Sequence, residues 1–343
     1  MRSQSTGAGS GNRRSGCFST LGGLILAALV CRIIFGIEVS PVAPGDHSKV
    51  RLTIQSGAGS RVIARALADK GLVRNAEVAV VEIALSGKGS ELKAGAYALS
   101  RSMSLDEMID RMASGKTDTV AIVIPEGFTT EQIAERLASK KLVDQIDFVK
   151  AAATEGQGFV FDDGFAPPRN LEGYLFPLTY NFVRGSTPHE IVQQMLDEFD
   201  KHVVSRHPDM HNWHDAIIVA SLVEREAKID SDRPLIASVY YNRLKAGMAL
   251  QCDATVQYAL PAHKSRLMYS DLRIDSPYNT YLRKGLPPGP ICNPGLLSIE
   301  AAINPANTDY LFYVAGPTGA HIFSRTLAQQ DRAIAAVRTS SRE

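Results

Sequence analysis

The chain has almost no excess of charge of either sign: 37 Lys and Arg stand against 36 Asp and Glu in 343 residues, a formal net charge of +1. No global field therefore recruits nucleic acid, and no basic tract with interleaved aromatics supplies a local one. The eight histidines, among them His207, His211 and His214, are not accompanied by a His-Glu-x-x-His pattern, and no Gly-rich phosphate loop is present. Metal catalysis is thereby disfavoured, and no cofactor is expected. Cysteine is scarce, with only Cys17, Cys31, Cys252 and Cys292.

What remains is the composition of a globular protein, long enough for two ordinary domains or one large one with an appendage. Residues 1–20 are rich in Ser, Gly and Arg, carry no acidic residue and predict a disordered leader. Residues 21–37 form the long apolar run, with Arg32 as the only charge, about the minimum length for one bilayer crossing. Arg32 lies near one end, where its long stem lets the charge reach the interface. Arg2, Arg13 and Arg14 precede the run, so its expected orientation puts the N-terminus in the cytoplasm and the chain after about Ser40 outside. A cleaved signal peptide is the competing reading; Pro41, Pro44 and the lack of an Ala-x-Ala site speak for an anchor. Outside the cytoplasm Cys252 and Cys292 meet conditions in which thiols oxidise.

Residues 38–49, with Pro41, Pro44 and Gly45, read as a tether, and Val50-Arg51-Leu52-Thr53-Ile54 as an alternating strand. A partial repeat follows. Ile54, Gly57, Ile63, Ala64, Leu67, Ala68, Lys70, Leu72 and Val73 recur as the same residue types seventy positions later, from Ile124 to Val143. Each copy predicts a strand, a Gly turn and an amphipathic helix. In the first copy a second helix and the strand Lys93 to Leu99 follow, giving strand, helix, helix, strand over residues 50–116. That is the order of small LysM-like glycan-binding modules. Residues 117–343 are expected to form a second, larger mixed domain. The predicted class is α+β: an anchor, a small β-α-α-β subdomain and a mixed α+β catalytic domain.

The helix Asn212 to Ala227 is apolar at every position from Ala216 to Val223 except Ser221, so it is expected to be buried on most sides. Glu224 interrupts it. A carboxylate desolvated by such neighbours is pushed toward the neutral acid, which suits proton donation near neutral pH. Glu226 falls roughly opposite on the helical wheel, so only one of the two is expected to face a given cleft. The bland alternative for Glu224 is an ion pair with Arg225 or Lys228.

After this helix, Asn242, Arg243, Gln251, Asp253, Thr255 and Tyr258 form a dense polar set among apolar residues. Amides, hydroxyls and a guanidinium beside aromatic rings are what a sugar polymer requires, although a buried structural network needs the same residue types. A third block, Ser276 to Tyr281 with Tyr278 and Asn279, runs into a Pro/Gly-rich stretch from Gly285 to Gly295, a rigid loop suited to walling a groove.

Taken together, Pro125-Glu126-Gly127, Leu171 to Pro177, Leu222-Val223-Glu224-Arg225-Glu226, Asn242-Arg243-Leu244 with Gly247-Met248 and Leu250-Gln251, Tyr278 to Tyr281, and Gly285 to Gly289 resemble the YceG-like endolytic murein transglycosylases. Ala254 and Leu178 depart from the family pattern, which often has Pro and Asp at these positions. The resemblance implies a single-pass inner-membrane protein with a periplasmic catalytic domain that cuts nascent peptidoglycan strands internally and leaves a 1,6-anhydro-muramyl end. It also implies association with synthases of elongation or division. The family's catalytic glutamate is mapped onto Glu224, with Asn242, Arg243, Gln251, Asp253, Thr255, Tyr258, Tyr278 and Asn279 as substrate contacts. Rival readings are a non-catalytic peptidoglycan-binding scaffold and a two-carboxylate muramidase using Asp253. A disulfide between Cys252 and Cys292 would tie two walls of the groove; two buried thiols are the alternative.

Overall fold

The structure is a computed structural model in which residues 30, 32–55, 57–117, 119–161, 164–210 and 212–340 are described. The chain divides into two compact units, Met1–Thr119 and Val120–Glu343. The leader and most of the anchor expected over 21–37 lie outside the described residues. Among the described residues, no helix is long and apolar enough to cross a membrane.

In the first unit β1 (Lys49–Ile54) pairs antiparallel with β2 (Gly95–Ser100), Leu52 opposite Tyr97 and Val50 opposite Leu99. Between them lie α1 (Ser60–Asp69) and α2 (Ala76–Leu85), and α3 (Leu105–Ser114) follows. The alternation of β1 sends Leu52 and Ile54 inward, where they join Ile63 and Leu67 of α1, Ile83 of α2 and Met108 and Met112 of α3. Ser104 and Glu107 close a capping box at the start of α3, and Gly115 at φ 68° ends it in the left-handed conformation that glycine adopts without strain. The stretch read as a tether, with the residue before it, carries hydrogen bonds from Arg74. Arg74 Nη1 donates to the carbonyls of Ile37 and Ser40, both at 2.8 Å, and its Nη2 to that of Pro41 at 2.7 Å. A planar fork of N–H donors is suited to gathering several carbonyls.

The second unit restates the strand, Gly turn and helix. β3 (Thr119–Val123) pairs with β4 (Thr179–Val183), and α4 (Thr130–Ser139) follows β3. Gly57 and Gly127 occupy the same turn position at φ 80° and 75°. Ile133, Ala134 and Leu137 are buried as Ile63, Ala64 and Leu67 are. α5 (Gln145–Thr154) and α6 (Pro188–His202) then lead to α7 (Trp213–Glu226), the central helix, whose residues Ala216 to Val223 are all buried. α7 packs against α8 (Arg233–Lys245), α9 (Asp253–Ala259) and α10 (Leu296–Ile303). The hairpin of β5 (Phe312–Ala315) and β6 (His321–Ser324), with Tyr313 opposite Phe323, and α11 (Leu327–Ser340) complete the unit.

Two buried polar residues join the loops around α7. The Asn293 side chain accepts from the N–H groups of Gly173 (3.0 Å) and Leu175 (2.8 Å) and donates to Phe128 O and Glu172 Oε1. Glu172, 3% exposed, also accepts from Thr130 N at 3.1 Å and from the Tyr258 hydroxyl. Burial outweighs these donors and pushes the Glu172 carboxyl up to about 8. Between its ordinary pKa of 4.5 and about 8 the unfolded chain is ionised there while the folded one keeps the proton. Stability from this group is therefore greatest below the lower value and is lost as pH rises through the window, by roughly 3–5 kcal/mol in all. Urea denaturation of wild type and Glu172→Gln between pH 5 and 9 is expected to show a steeper decline in the wild type; parallel curves would contradict the assignment.

Candidate functional site

The C-terminal end of α7 delivers two glutamates to two different environments, because residues two apart on a helix point about 200° away from each other. Glu224 Oε2 accepts from Arg233 Nη1 at 3.3 Å and from the Gly295 N–H at 3.1 Å. Its side chain is 8% exposed, and Arg233 also donates to Ser298 Oγ and Asp230. The Glu126 carboxylate lies against Gly295, where an added Cβ would come within 2.1 Å of it. Burial, then the charge of Glu224, push the Glu126 carboxyl up. Glu224 is therefore one half of a buried ion pair, with Arg233 as partner in place of Arg225 or Lys228.

Glu226 is the last residue of α7, and the chain turns extended at Ala227 (φ −71°, ψ 127°). Its carboxylate lines a cavity of about 280 Å³ together with Arg243, Gln251, Asp253, Tyr281 and Tyr313. Burial pushes the Glu226 carboxyl up and the charge of Asp253 adds to this; the Cys252 thiol, His321 and the Tyr313 hydroxyl pull the other way. The Cys252 Sγ donates to Glu226 Oε1 at 3.3 Å. Gln251, at φ 51°, is one of two described non-glycine residues in the left-handed region, and its strained backbone sits at the rim of this cavity. Asp253 accepts from the Tyr281 hydroxyl at 2.6 Å.

The polar set expected around Glu224 is thus divided, and its part that lines a cavity does so beside Glu226. Arg243 is largely a structural anchor. Its Nε donates to Leu311 O at 2.6 Å and its Nη1 to Leu250 O at 2.9 Å, and the guanidinium lies over the Phe312 ring. Three of the expected contacts hydrogen-bond to the protein itself. Asn242 donates to Thr308 O and Tyr310 O, Asn279 to Leu272 O and Ile274 O, and the buried Thr255 hydroxyl to Cys252 O. Tyr258 lines a separate cavity of about 650 Å³ beyond α9, with Gln257, Arg225 and Glu131, and its ring packs against Tyr278 at 4.9 Å. Tyr313 and His321 were not anticipated, since an aromatic strand residue and a lone histidine look like ordinary hairpin residues. The expected disulfide is also corrected: Cys252 and Cys292 are free and buried, and Cys292 Sγ donates to Ser221 O at 3.4 Å. They serve different faces of α7, Cys252 at Glu226 and Cys292 at Ser221.

A carboxyl pushed toward its neutral form, set in an open cavity among an amide, two phenols and a second carboxylate, is equipped to hand a proton to a polyhydroxylated substrate. Comparison with known proteins agrees with a carbohydrate-active fold. The model of the YceG-like family matches residues 52–336. The chain is 38% identical over 312 residues to the endolytic murein transglycosylase of Bacillus subtilis (strain 168), covering 86% of each. It is 31% identical over 329 residues to that of Streptococcus pneumoniae serotype 2, where it covers 86% of this chain and 59% of that longer relative. A crystal structure of a YceG-like protein from Listeria monocytogenes superposes with a TM-score of 0.56 at 36% identity, over 83% of this chain and 99% of the other. By sequence and by fold, the chain belongs to the YceG-like family.

Proposed function

We propose that this chain is an endolytic peptidoglycan transglycosylase in which Glu226, and not Glu224, is the general acid and base. The observation that carries the assignment is a half-buried carboxyl on the wall of an open polar cavity, against a neighbouring glutamate already held by Arg233. Glu226 donates its proton to the glycosidic oxygen between MurNAc and GlcNAc as the C1–O4 bond breaks. The C6 hydroxyl of the same muramyl residue then closes on C1 and returns its proton to Glu226. No water is consumed, and a 1,6-anhydro end is left.

Gln251 and Tyr281 present an amide and a phenol to the sugar, while Arg243 fixes the loop that carries Gln251. A hydrolytic variant has one observation in its favour, the charge of Asp253 acting on Glu226, because two carboxylates in one cavity are what a hydrolase employs. Mass analysis of products from full-length protein and uncrosslinked glycan strands separates these readings. Anhydro ends are expected; reducing ends would indicate the two-carboxylate muramidase, and binding without soluble products a scaffold.

The basic leader and the apolar run support a single-pass inner-membrane protein with the catalytic unit periplasmic. Protease added to spheroplasts is then expected to digest the second unit and to spare a tag on the N-terminus; the reverse pattern would refute that topology. The strand, helix, helix, strand order of the first unit supports a LysM-like glycan-binding role. Association with synthases of elongation or division rests on family resemblance alone.

A further inference from the structure

The last turn of α7 sends three consecutive side chains to three places. Glu224 goes to Arg233 and Gly295, Glu226 lines the cavity of about 280 Å³, and Arg225 lines the separate cavity of about 650 Å³. Helix α9 serves both cavities as well: Asp253 lines the smaller one, and its neighbour Ala254, with Gln257 and Tyr258, the larger. Two pairs of adjacent residues, Arg225 with Glu226 and Asp253 with Ala254, thus set the cavities side by side. The larger has the size of a ligand site, about 300–1,000 Å³, and proton transfer at Glu226 leaves it without a role.

Its chemistry differs from that of the cavity at Glu226. Glu131 and Glu135 line it from one face of α4, and Arg225 lines it from α7. Arg225 Nη1 donates to Gly127 O at 3.4 Å, and among the described residues none of these three charges belongs to an ion pair. Like charges one turn apart on a helix repel, a cost that a cation bound between them removes. The fold does not require the two carboxylates: the equivalent positions of the first repeat copy are Arg61 and Arg65 on α1, and that copy forms the same strand, Gly turn and helix. Leu260, Pro261 and Ile291 add an apolar wall. The loop that follows Pro261 is braced. The Gln257 amide donates to Lys264 O at 2.7 Å and accepts from its N–H at 3.1 Å, while Asp271 accepts from Lys264 Nζ at 2.6 Å and from the Met268 N–H at 2.8 Å. Free charges of both signs beside aliphatic side chains suit a peptide that carries an ammonium and a carboxylate better than a neutral sugar.

We propose that the larger cavity is a binding site for the stem peptide of the glycan strand being cut. Muramyl residues bear a short peptide on their lactyl group, and in uncrosslinked strands it keeps free carboxylates and the side-chain ammonium of a diamino acid. A strand with its muramyl residue at Glu226 has such a peptide within reach of the adjacent cavity. The ammonium lies between Glu131 and Glu135, a carboxylate meets Arg225, and the aliphatic stem packs on Leu260, Pro261 and Ile291. This site rests on the reading of the chain as a transglycosylase acting at Glu226, and adds to it what the enzyme recognises besides sugar. Consumption of the amine in a crosslink removes the cation, so strands that are still uncrosslinked are the preferred substrate.

The probe is the synthetic tetrapeptide L-Ala-γ-D-Glu-L-Lys-D-Ala, titrated calorimetrically into full-length protein beside the same peptide acetylated on its lysine amine. Acetylation is expected to weaken binding by wild type about 10-fold, because it removes a charge-assisted pair. The double variant Glu131→Gln, Glu135→Gln is expected to bind the free amine about 10-fold more weakly and to discriminate between the two peptides by less than about twofold. Arg225→Gln is expected to weaken both peptides alike. With uncrosslinked strands as substrate, the wild-type KM is expected to be about 10-fold lower when stems are present than after their enzymatic removal, and the double variant is expected to narrow that ratio below about threefold. Equal binding of the two peptides by wild type, or one KM for both strands, would overturn the proposal. Both results come from wild-type protein, so they decide it even where a variant does not fold. Peptide binding without anhydro products would instead remove the transglycosylase reading, whereas anhydro products formed equally well from both strands would remove the peptide site alone.

Discussion

Glu226→Gln is expected to lower kcat on uncrosslinked glycan strands by about 100- to 10,000-fold, the usual contribution of a positioned acid and base. The substitution keeps the size and the acceptor for the Cys252 thiol but removes the transferable proton, so unfolding by urea is expected to change little. Glu224→Gln is the paired measurement. It breaks a buried ion pair with Arg233 and weakens the acceptor of the Gly295 N–H, so its cost is expected in stability, about 3 kcal/mol, with kcat per folded molecule within a factor of about ten. The reverse outcome, an inactive Glu224→Gln beside an active Glu226→Gln, would return the acid role to Glu224 and make Glu126, its exposed neighbour, the second carboxyl of the site.

Asn293→Ala is expected to be among the most destabilising single substitutions of the second unit, by about 3–5 kcal/mol. Two backbone N–H groups, of Gly173 and Leu175, lose their acceptor in a buried setting, and Glu172 loses a donor at 2.9 Å. Each orphaned buried group costs about 1–3 kcal/mol, while the Phe128 carbonyl is spared because the Asn293 backbone N–H still donates to it. Urea denaturation measures the difference, and a loss below about 1 kcal/mol would show that water replaces the amide. The effect reaches the Glu224–Arg233 pair, since the same loop carries Gly295 to Glu224.

The helix α7 was legible from its residues because an unbroken apolar stretch has one destination, and its burial from Ala216 to Val223 follows. The strand, Gly turn and helix repeat was equally legible, down to the left-handed glycines at 57 and 127. Choosing between Glu224 and Glu226 was not. On a helix buried on every side no amphipathic phase marks the face that meets the cavity, so two glutamates at opposite angles are equivalent until their partners are known. Arg233, Gly295 and Glu126 come from three separate parts of the chain to claim Glu224.

The same limit explains Asn242, Asn279 and Thr255. Their side chains advertise hydrogen bonding without stating the partner, and in each case the partner is a carbonyl of the fold. The sequence by itself determined the family, the buried helix, the repeated module and the rigid Pro/Gly-rich loop, all of which depend on local pattern and residue type. Only the tertiary structure decided which glutamate faces the open cavity, that Cys252 and Cys292 stay apart as thiols, and that Tyr313 lines the cavity of Glu226 with the His321 ring against it. Those facts depend on which side of α7 each distant segment packs against, and side-chain chemistry does not encode that direction.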